Sequence, residues 1–297
     1  MREAPDPTPA KGEVRIRVRG SGINFAEIMA RQGLNKDAPK PPMVVGYEVS
    51  GVIDAVGPGL SDRTKGERVL AMTRFGGYSD TVCVPAIQAL PMPEKMTFEE
   101  GAALPVSYLT AYHMLFRVFR LRAGDHVLIH QAAGGVGTAA SQLCRSVEGV
   151  VSYGTASARK HDYVCENGCD HPIDYHSVDY EEVIRGLTNG RGVDVVLDAL
   201  GGTDWKRGYS LLRPAGMLIA FGWANMVKGG KRRMTRVLGQ LAHMPWWAPV
   251  KLMNENKGIA GVNMGQLWGH VEMLTEEMVA LLNLYDEGYI KPHVDRT

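Results

Sequence analysis

The sharpest chemistry in the sequence lies in HVLIHQAAGGVGTAASQLC, residues 126–144. An apolar-rich run enters Ala133-Gly134-Gly135-Val136-Gly137, and an apolar helical pattern leaves it. Glycines let a backbone come close to a pyrophosphate. The helix start behind them offers unpaired N–H groups and the positive end of its dipole. A glycine triplet alone is weak evidence, but a strand before it and a helix after it are the context a phosphate cradle requires. No Gly-Lys-Ser/Thr follows, so a Walker-type loop is excluded. The next strand pattern ends in GTASARK, residues 154–160. A site that holds a free ribose places Asp or Glu here to accept from the 2′-OH. This chain has Ser157, Arg159 and Lys160 instead. They suit a 2′-phosphate, where each charge-assisted hydrogen bond is worth roughly 1.5–3 kcal/mol. The expected cofactor is therefore NADP(H), although one of the two cations reads equally well as a solvated first helical turn.

Other chemistries find little support. Four cysteines form no CxxC pair, and Cys165 and Cys169 have no His or Cys cluster near them in sequence. Reduced thiols in the cytoplasm are expected, and no metal site. The nine histidines form no obvious dyad, and neither GxSxG nor HExxH occurs. Lysine plus arginine (33) balances aspartate plus glutamate (32), which speaks against a dedicated nucleic-acid binder. No stretch approaches the ~20 apolar residues of a membrane-spanning helix.

The elements that position the glycine turn fall into two styles. Up to about residue 98 the pattern is mostly β, with Gly/Pro turns. Strands are expected at Glu13–Arg19, within Gly46–Gly59, and at Arg68–Met72 and Tyr78–Val84, with a short helix at Asn24–Gln32. Thr97 and Glu100 form a helix-start pair. Beyond them strands and helices alternate. Strands are expected at His126–Gln131, Val150–Tyr153, Val193–Leu197 and Met217–Phe221. Helices are expected at Val136–Val147, Arg159–Asn167, Asp179–Leu187 and Thr203–Leu212. This alternation implies a parallel sheet covered on both faces. Met264–Gly288 is amphipathic at helical spacing, with Gly288 as its stop.

Five segments together carry a resemblance: SGINFAEIMARQG (21–33), GYEVSGVIDAVG (46–57), LTAYHML (109–115), QAAGGVG (131–137) and VDVVLDALGG (193–202). They resemble the medium-chain dehydrogenase/reductase superfamily, in its zinc-free, zeta-crystallin-like quinone oxidoreductase branch. GTASARKHDYVCENG, HPIDYHSVDY and GYIKPHVD are similar to a vesicle-associated subgroup of that branch. The resemblance implies an α/β fold. A Rossmann-type doubly wound parallel sheet would span 107–288, and a mostly-β GroES-like substrate domain 1–106 plus 289–297. The family pattern has a hairpin before Glu13 and a helix and strand after Asp295, so the substrate domain is expected to be shortened at both ends.

The implied activity is hydride transfer from NADPH to a quinone or conjugated carbonyl. The resemblance places Gly134, Gly135, Val136 and Gly137 under the pyrophosphate, and Ser157, Lys160 and Tyr175 around the 2′-phosphate. It places Thr110 by the phosphate–nicotinamide half, and Leu200, Gly201, Phe221 and Gly222 along the ribose and nicotinamide. Asn24 falls near the nicotinamide and substrate, as the polar group to orient a carbonyl, with a helix cap as its plainer role. Tyr47 is the second catalytic candidate, with packing as its alternative. Asn24, Tyr47 and a position near Val106 stand where zinc-dependent members hold their metal, and none supplies a thiolate or imidazole. A substrate-facing tyrosine is expected soon after RQG, where this chain reads Leu34-Asn35.

A second reading takes the chain as an NADP-binding factor that is catalytically weak. It would make a peripheral membrane or protein contact on vesicles or the mitochondrial outer membrane. Lys228–Arg236 holds five basic residues and no acid, and Trp246 and Trp247 follow. Such a segment can attract anionic lipid headgroups. The resemblance also implies a homodimer that pairs edge strands, with Lys257–Val262 as the candidate strand.

Overall fold

A computed structural model describes residues 3–33, 35, 38–226 and 244–295. In chain order the elements begin with β1 (Glu13–Ser21), α1 (Phe25–Arg31), β2 (Glu48–Val56), β3 (Arg68–Met72), β4 (Thr81–Pro85), β5 (Ala89–Pro91), α2 (Phe98–Ala103) and α3 (Pro105–Tyr112). They continue with β6 (His126–Ile129), α4 (Gly135–Arg145), β7 (Val151–Ala156), α5 (His161–Glu166), β8 (His171–Asp174), α6 (Tyr180–Leu187), β9 (Val193–Asp198), α7 (Thr203–Leu211) and β10 (Leu212–Ala220). Last come α8 (Pro249–Glu255), β11 (Gly258–Gly261) and α9 (Val271–Asp286). Two compact units result: Met1–Leu109 with Met264–Thr297, and Thr110–Asn263.

The first unit is built on an antiparallel sheet ordered β4-β1-β2-β3-β5. Its first strand shows why. Val14 and Ile16 are fully buried, while Arg15 and Arg17 point outward and both bond Asp54 on β2, at 2.7 and 3.2 Å. Val49, Ile53, Val69 and Ala71 complete the same core. Thr97 caps α2 as expected: its hydroxyl accepts the Glu100 N–H, and Glu100 accepts the Thr97 N–H. The amphipathic C-terminal segment starts as a helix later than its pattern, at Val271, and buries Leu274, Met278, Leu281 and Tyr285. The resemblance groups this helix with 107–288, but its bonds run to the antiparallel unit. Tyr285 donates to Glu100 at 2.9 Å, and Lys95 donates to the Asp286 carbonyl at 2.7 Å.

The second unit is a parallel sheet ordered β11-β10-β9-β6-β7-β8. All six residues of β9 are buried, as befits a central strand covered on both faces. Leu128, Val196 and Leu218 pack with Trp205, Tyr209 and Leu211 of α7. Strand β10 starts five residues earlier than its apolar pattern, because Leu212 already pairs with Val193 before the register shifts. Ala215 takes φ +67° within that shift. The four cysteines are unpaired, with Cys144 and Cys169 buried and Cys165 exposed.

Candidate functional site

The strands of the parallel sheet end, on their carboxyl side, in the turns the sequence singles out. This is where open α/β sheets bind ligands. Strand β6 leaves through His130 and Gln131 into Gly134, the N-cap of α4. The first helical bond runs from the Thr138 N–H to the Gly134 carbonyl, so the N–H groups of Gly135, Val136 and Gly137 precede it. A Cβ on Gly137 would lie 2.4 Å from the Gln131 carbonyl oxygen and 2.6 Å from the Ala132 Cα. Gly137 is therefore what lets helix and strand meet this closely. A glycine-rich backbone and a helix start with unpaired N–H groups fit a pyrophosphate.

At the end of β7, Ser157 is half-buried while Arg159 and Lys160 are exposed, in one short turn ahead of α5. Tyr175 is about half exposed just beyond β8 and lies against His176. The structure adds a residue that the local sequence conceals. Asp174, the last residue of β8, accepts from the His176 N–H and the Ser177 hydroxyl, which hold its carboxyl below the usual range. The Ala158 N–H pulls in the same direction, so a carboxylate from the neighbouring strand does reach the Ser157–Lys160 turn.

Leu200 and Gly201 follow β9, and Phe221 and Gly222 follow β10. The structure brings these pairs together. A Cβ on Gly201, at φ +79°, would lie 3.5 Å from the Gly222 carbonyl oxygen, and one on Gly222 would press into the Ala199 carbonyl at 2.7 Å. Asp198 Oδ1 accepts the N–H groups of both Leu200 (2.7 Å) and Gly201 (2.9 Å). Asn225 holds the same turn from the other side, donating to the Gly201 carbonyl at 3.2 Å and to Asp204 at 2.9 Å. His130 Nε2 lies 3.9 Å from Asp198 Oδ2. A histidine thus faces a carboxylate 68 residues away in sequence, because β6 and β9 are sheet neighbours. Burial raises the Asp198 carboxyl, against the pull of His130 and the two turn N–H groups. Thr110 is a buried residue of α3.

In the antiparallel unit, Asn24 is the N-cap of α1, and two buried acids hold it. Its backbone N–H donates to Glu27 at 2.6 Å, and its side-chain amide donates to Glu48 at 2.6 Å. The other oxygen of Glu27 accepts the Tyr47 N–H at 3.2 Å, and the other oxygen of Glu48 accepts the Val106 N–H at 2.7 Å. Burial pushes Glu48 up to about 7, and burial also raises Glu27. Tyr78 is pushed up to about 12 by burial and by these two acids. Tyr47 packs on Phe75 with ring centres 5.2 Å apart, and its hydroxyl accepts from Asn35 at 2.8 Å. Gly22 is obligatory beside Glu48, since a Cβ there would fall 2.1 Å from Oε1. The positions that the resemblance aligns with zinc ligands, 24, 47 and 106, are thus tied together by carboxylates through hydrogen bonds. An amide, a phenol and a valine do not fit a zinc ion.

Comparison with known proteins agrees with this architecture. Residues 10–94 match the alcohol dehydrogenase GroES-like domain, and residues 135–281 match the zinc-binding dehydrogenase family. The chain is similar to the human synaptic vesicle membrane protein VAT-1 homologue, at 46% identity over 99% of this chain and 75% of that protein. It is similar to a Burkholderia 2-haloacrylate reductase, at 35% identity over 74% of this chain and 68% of the relative. Its structure resembles Escherichia coli quinone oxidoreductase complexed with NADPH. That match has a TM-score of 0.83, with 27% identity over 99% of this chain and 85% of the other. A GroES-like antiparallel unit and a Rossmann-type parallel one define a medium-chain dehydrogenase/reductase, and within that superfamily the chain belongs to the VAT-1 homologue family.

Proposed function

We propose that the chain is an NADPH-dependent, zinc-independent reductase acting on a quinone or a conjugated carbonyl. The observation that carries this reading is the glycine turn behind β6, with the Ser157–Lys160 turn on the adjacent strand. The bound nucleotide would supply the hydride. The chain's own part is to bind and orient. Gly134–Gly137 receive the pyrophosphate, and Ser157, Lys160 and Tyr175 the 2′-phosphate. Thr110, Leu200, Gly201, Phe221 and Gly222 hold the nicotinamide half. Asn24 orients the substrate carbonyl, with Tyr47 beside it. The quinone oxidoreductase and 2-haloacrylate reductase relatives support the substrate class. Asp174 near the 2′-phosphate turn is the feature that most tests the preference for NADPH over NADH.

Titration with both nucleotides, followed by nicotinamide fluorescence, tests the reading. NADPH binding at least about tenfold tighter than NADH, a difference of ~1.4 kcal/mol, is the expected result. A quinone and enone panel then tests turnover. Equal binding of both nucleotides sinks the NADPH preference, and binding of neither by folded protein sinks the reductase.

A second reading rests on Trp246, which is 87% exposed, and on Val250 (65%) and Met253 (72%) of the nearby α8. Trp247, by contrast, packs against Tyr209 at 5.3 Å. Lys228–Arg236 lies outside the described residues. In this reading the cytoplasmic protein attaches peripherally to an anionic membrane. Among the described residues no helix is long and apolar enough to cross one. Failure to sediment with anionic liposomes at low salt would exclude the attachment. The Lys257–Val262 segment, whose β11 pairs on one side with β10 and with no other strand among the described residues, is the proposed homodimer contact.

A further inference from the structure

We infer that His130 is a positioning residue that, through Asp198, fixes the Leu200–Gly201 turn for a bound nicotinamide nucleotide; this rests on the nucleotide-binding reading above. The ring stands where three strand ends meet. Its backbone N–H continues the β6–β9 pairing by donating to the Leu197 carbonyl at 3.1 Å. Its Nδ1 lies 3.1 Å from the Thr155 hydroxyl of β7, and that same oxygen accepts the Gln131 N–H at 3.2 Å, at the entrance to the glycine turn. Because the hydroxyl oxygen accepts from Gln131, its own proton is free to go to Nδ1. The ring proton then sits on Nε2, which is the tautomer a facing carboxylate favours. Tyr180 closes the pocket with its ring edge, 5.0 Å from the imidazole.

Both side chains of the pair have zero exposure. Neither His130 Nε2 nor Asp198 Oδ2 makes a hydrogen bond within the described structure. A buried carboxylate oxygen without a donor is costly. The Nε2–H dipole at 3.9 Å is what offsets that cost on one side of the carboxylate, while the other oxygen grips the turn. As a stability device the pair is poor, since 3.9 Å is too long for a hydrogen bond and only a neutral ring's N–H dipole faces the carboxylate. Its geometric effect is specific. It ties the turn behind β9 to the strand that carries the glycine turn, and it is sealed too completely to touch substrate. Without the N–H, Asp198 favours its neutral form or withdraws, and its hold on the Leu200 and Gly201 N–H groups slackens.

The test compares NADPH with its adenine-half fragment, adenosine 2′,5′-bisphosphate, on the full chain. His130→Phe keeps the ring bulk and removes the N–H. It is expected to weaken NADPH about tenfold while changing the fragment by less than about twofold. His130→Gln, whose amide can still present an N–H to Asp198, restores most of the loss. If His130→Phe does not fold, His130→Asn takes its place, being too short to reach Asp198, and the NADPH-to-fragment ratio must fall in the same way. An unchanged ratio in a folded variant overturns the inference. So does an equal loss of both ligands in the Phe and Gln variants, which marks a merely structural role. Failure of the native chain to bind either ligand removes the nucleotide reading itself, and the inference with it.

Discussion

Each unit buries acids among its own candidate residues, and the two treat them in opposite ways. In the antiparallel unit, Glu48 and Glu27 use all four oxygens to accept N–H groups from Asn24, Tyr47 and Val106. In the parallel unit, Asp198 has one oxygen filled by two N–H groups and the other facing an imidazole 3.9 Å away. A fully satisfied carboxylate is a brace, because removing it orphans several donors at once. A half-satisfied one is adjustable, because its free oxygen depends on a single outside partner, here the His130 N–H. The contrast makes the scaffold around Asn24 one that folding sets, and the Leu200–Gly201 turn one that a neighbouring group can still adjust.

The largest expected effect that separates the two is on pH dependence. Glu48 is raised from 4.5 to about 7 in the fold. A raised acid contributes stability below its unfolded pKa and loses it as pH rises through the folded one. Between about pH 4.5 and 8 the native chain should therefore lose roughly 3 kcal/mol relative to Glu48→Gln, read from urea midpoints. His126, lowered by burial, works the other way and costs stability below its unfolded value of 6.5. A flat difference between the two chains would show that Glu48 is not held as described.

Gly137→Ala breaks the nucleotide half alone. Its Cβ would strike backbone atoms that cannot step aside, at an expected cost of about 2 kcal/mol and most nucleotide affinity. Isosteric amides sharpen the comparison further. At about pH 5, where that pH-dependent loss is absent, Glu48→Gln places an NH2 against one of two N–H donors and should cost about 1.5 kcal/mol more than Asp198→Asn. In Asp198→Asn, Oδ1 still accepts, and the amide can donate to His130 once the ring proton moves to Nδ1, where the Thr155 hydroxyl can accept it. Equal losses in denaturation would erase the distinction between brace and adjustable turn. The smallest effect belongs to an ordinary exposed cap: Thr97→Ala should cost about 1 kcal/mol in the same assay, with no change in nucleotide affinity.

What the sequence reveals follows from how local each signal is. The glycine turn, the Thr97–Glu100 pair and the alternation of Val14 and Ile16 with arginines need only neighbouring residues, and all three are legible. Glu48 is not, because it sits inside a strand run of GYEVSG, and only the fold shows Asn24 and Val106 converging on it. His130 and Asp198 stand 68 positions apart and become partners only when β9 is laid beside β6. Asp174 reaches Ala158 across a strand pair in the same way. Trp246 and Trp247 are adjacent letters with opposite fates, one 87% exposed and one packed on Tyr209. The domain rhythm is local as well, whereas the docking of α9 beside Glu100 and Lys95 is not.

The sealing of His130 has a consequence for time as well as space. A proton on Nε2 has no water to trade with, because both side chains of the pair are wholly enclosed. It can leave only when the sheet end opens. Its exchange with solvent is therefore a clock for that opening, running at the pace of the parallel unit's local unfolding.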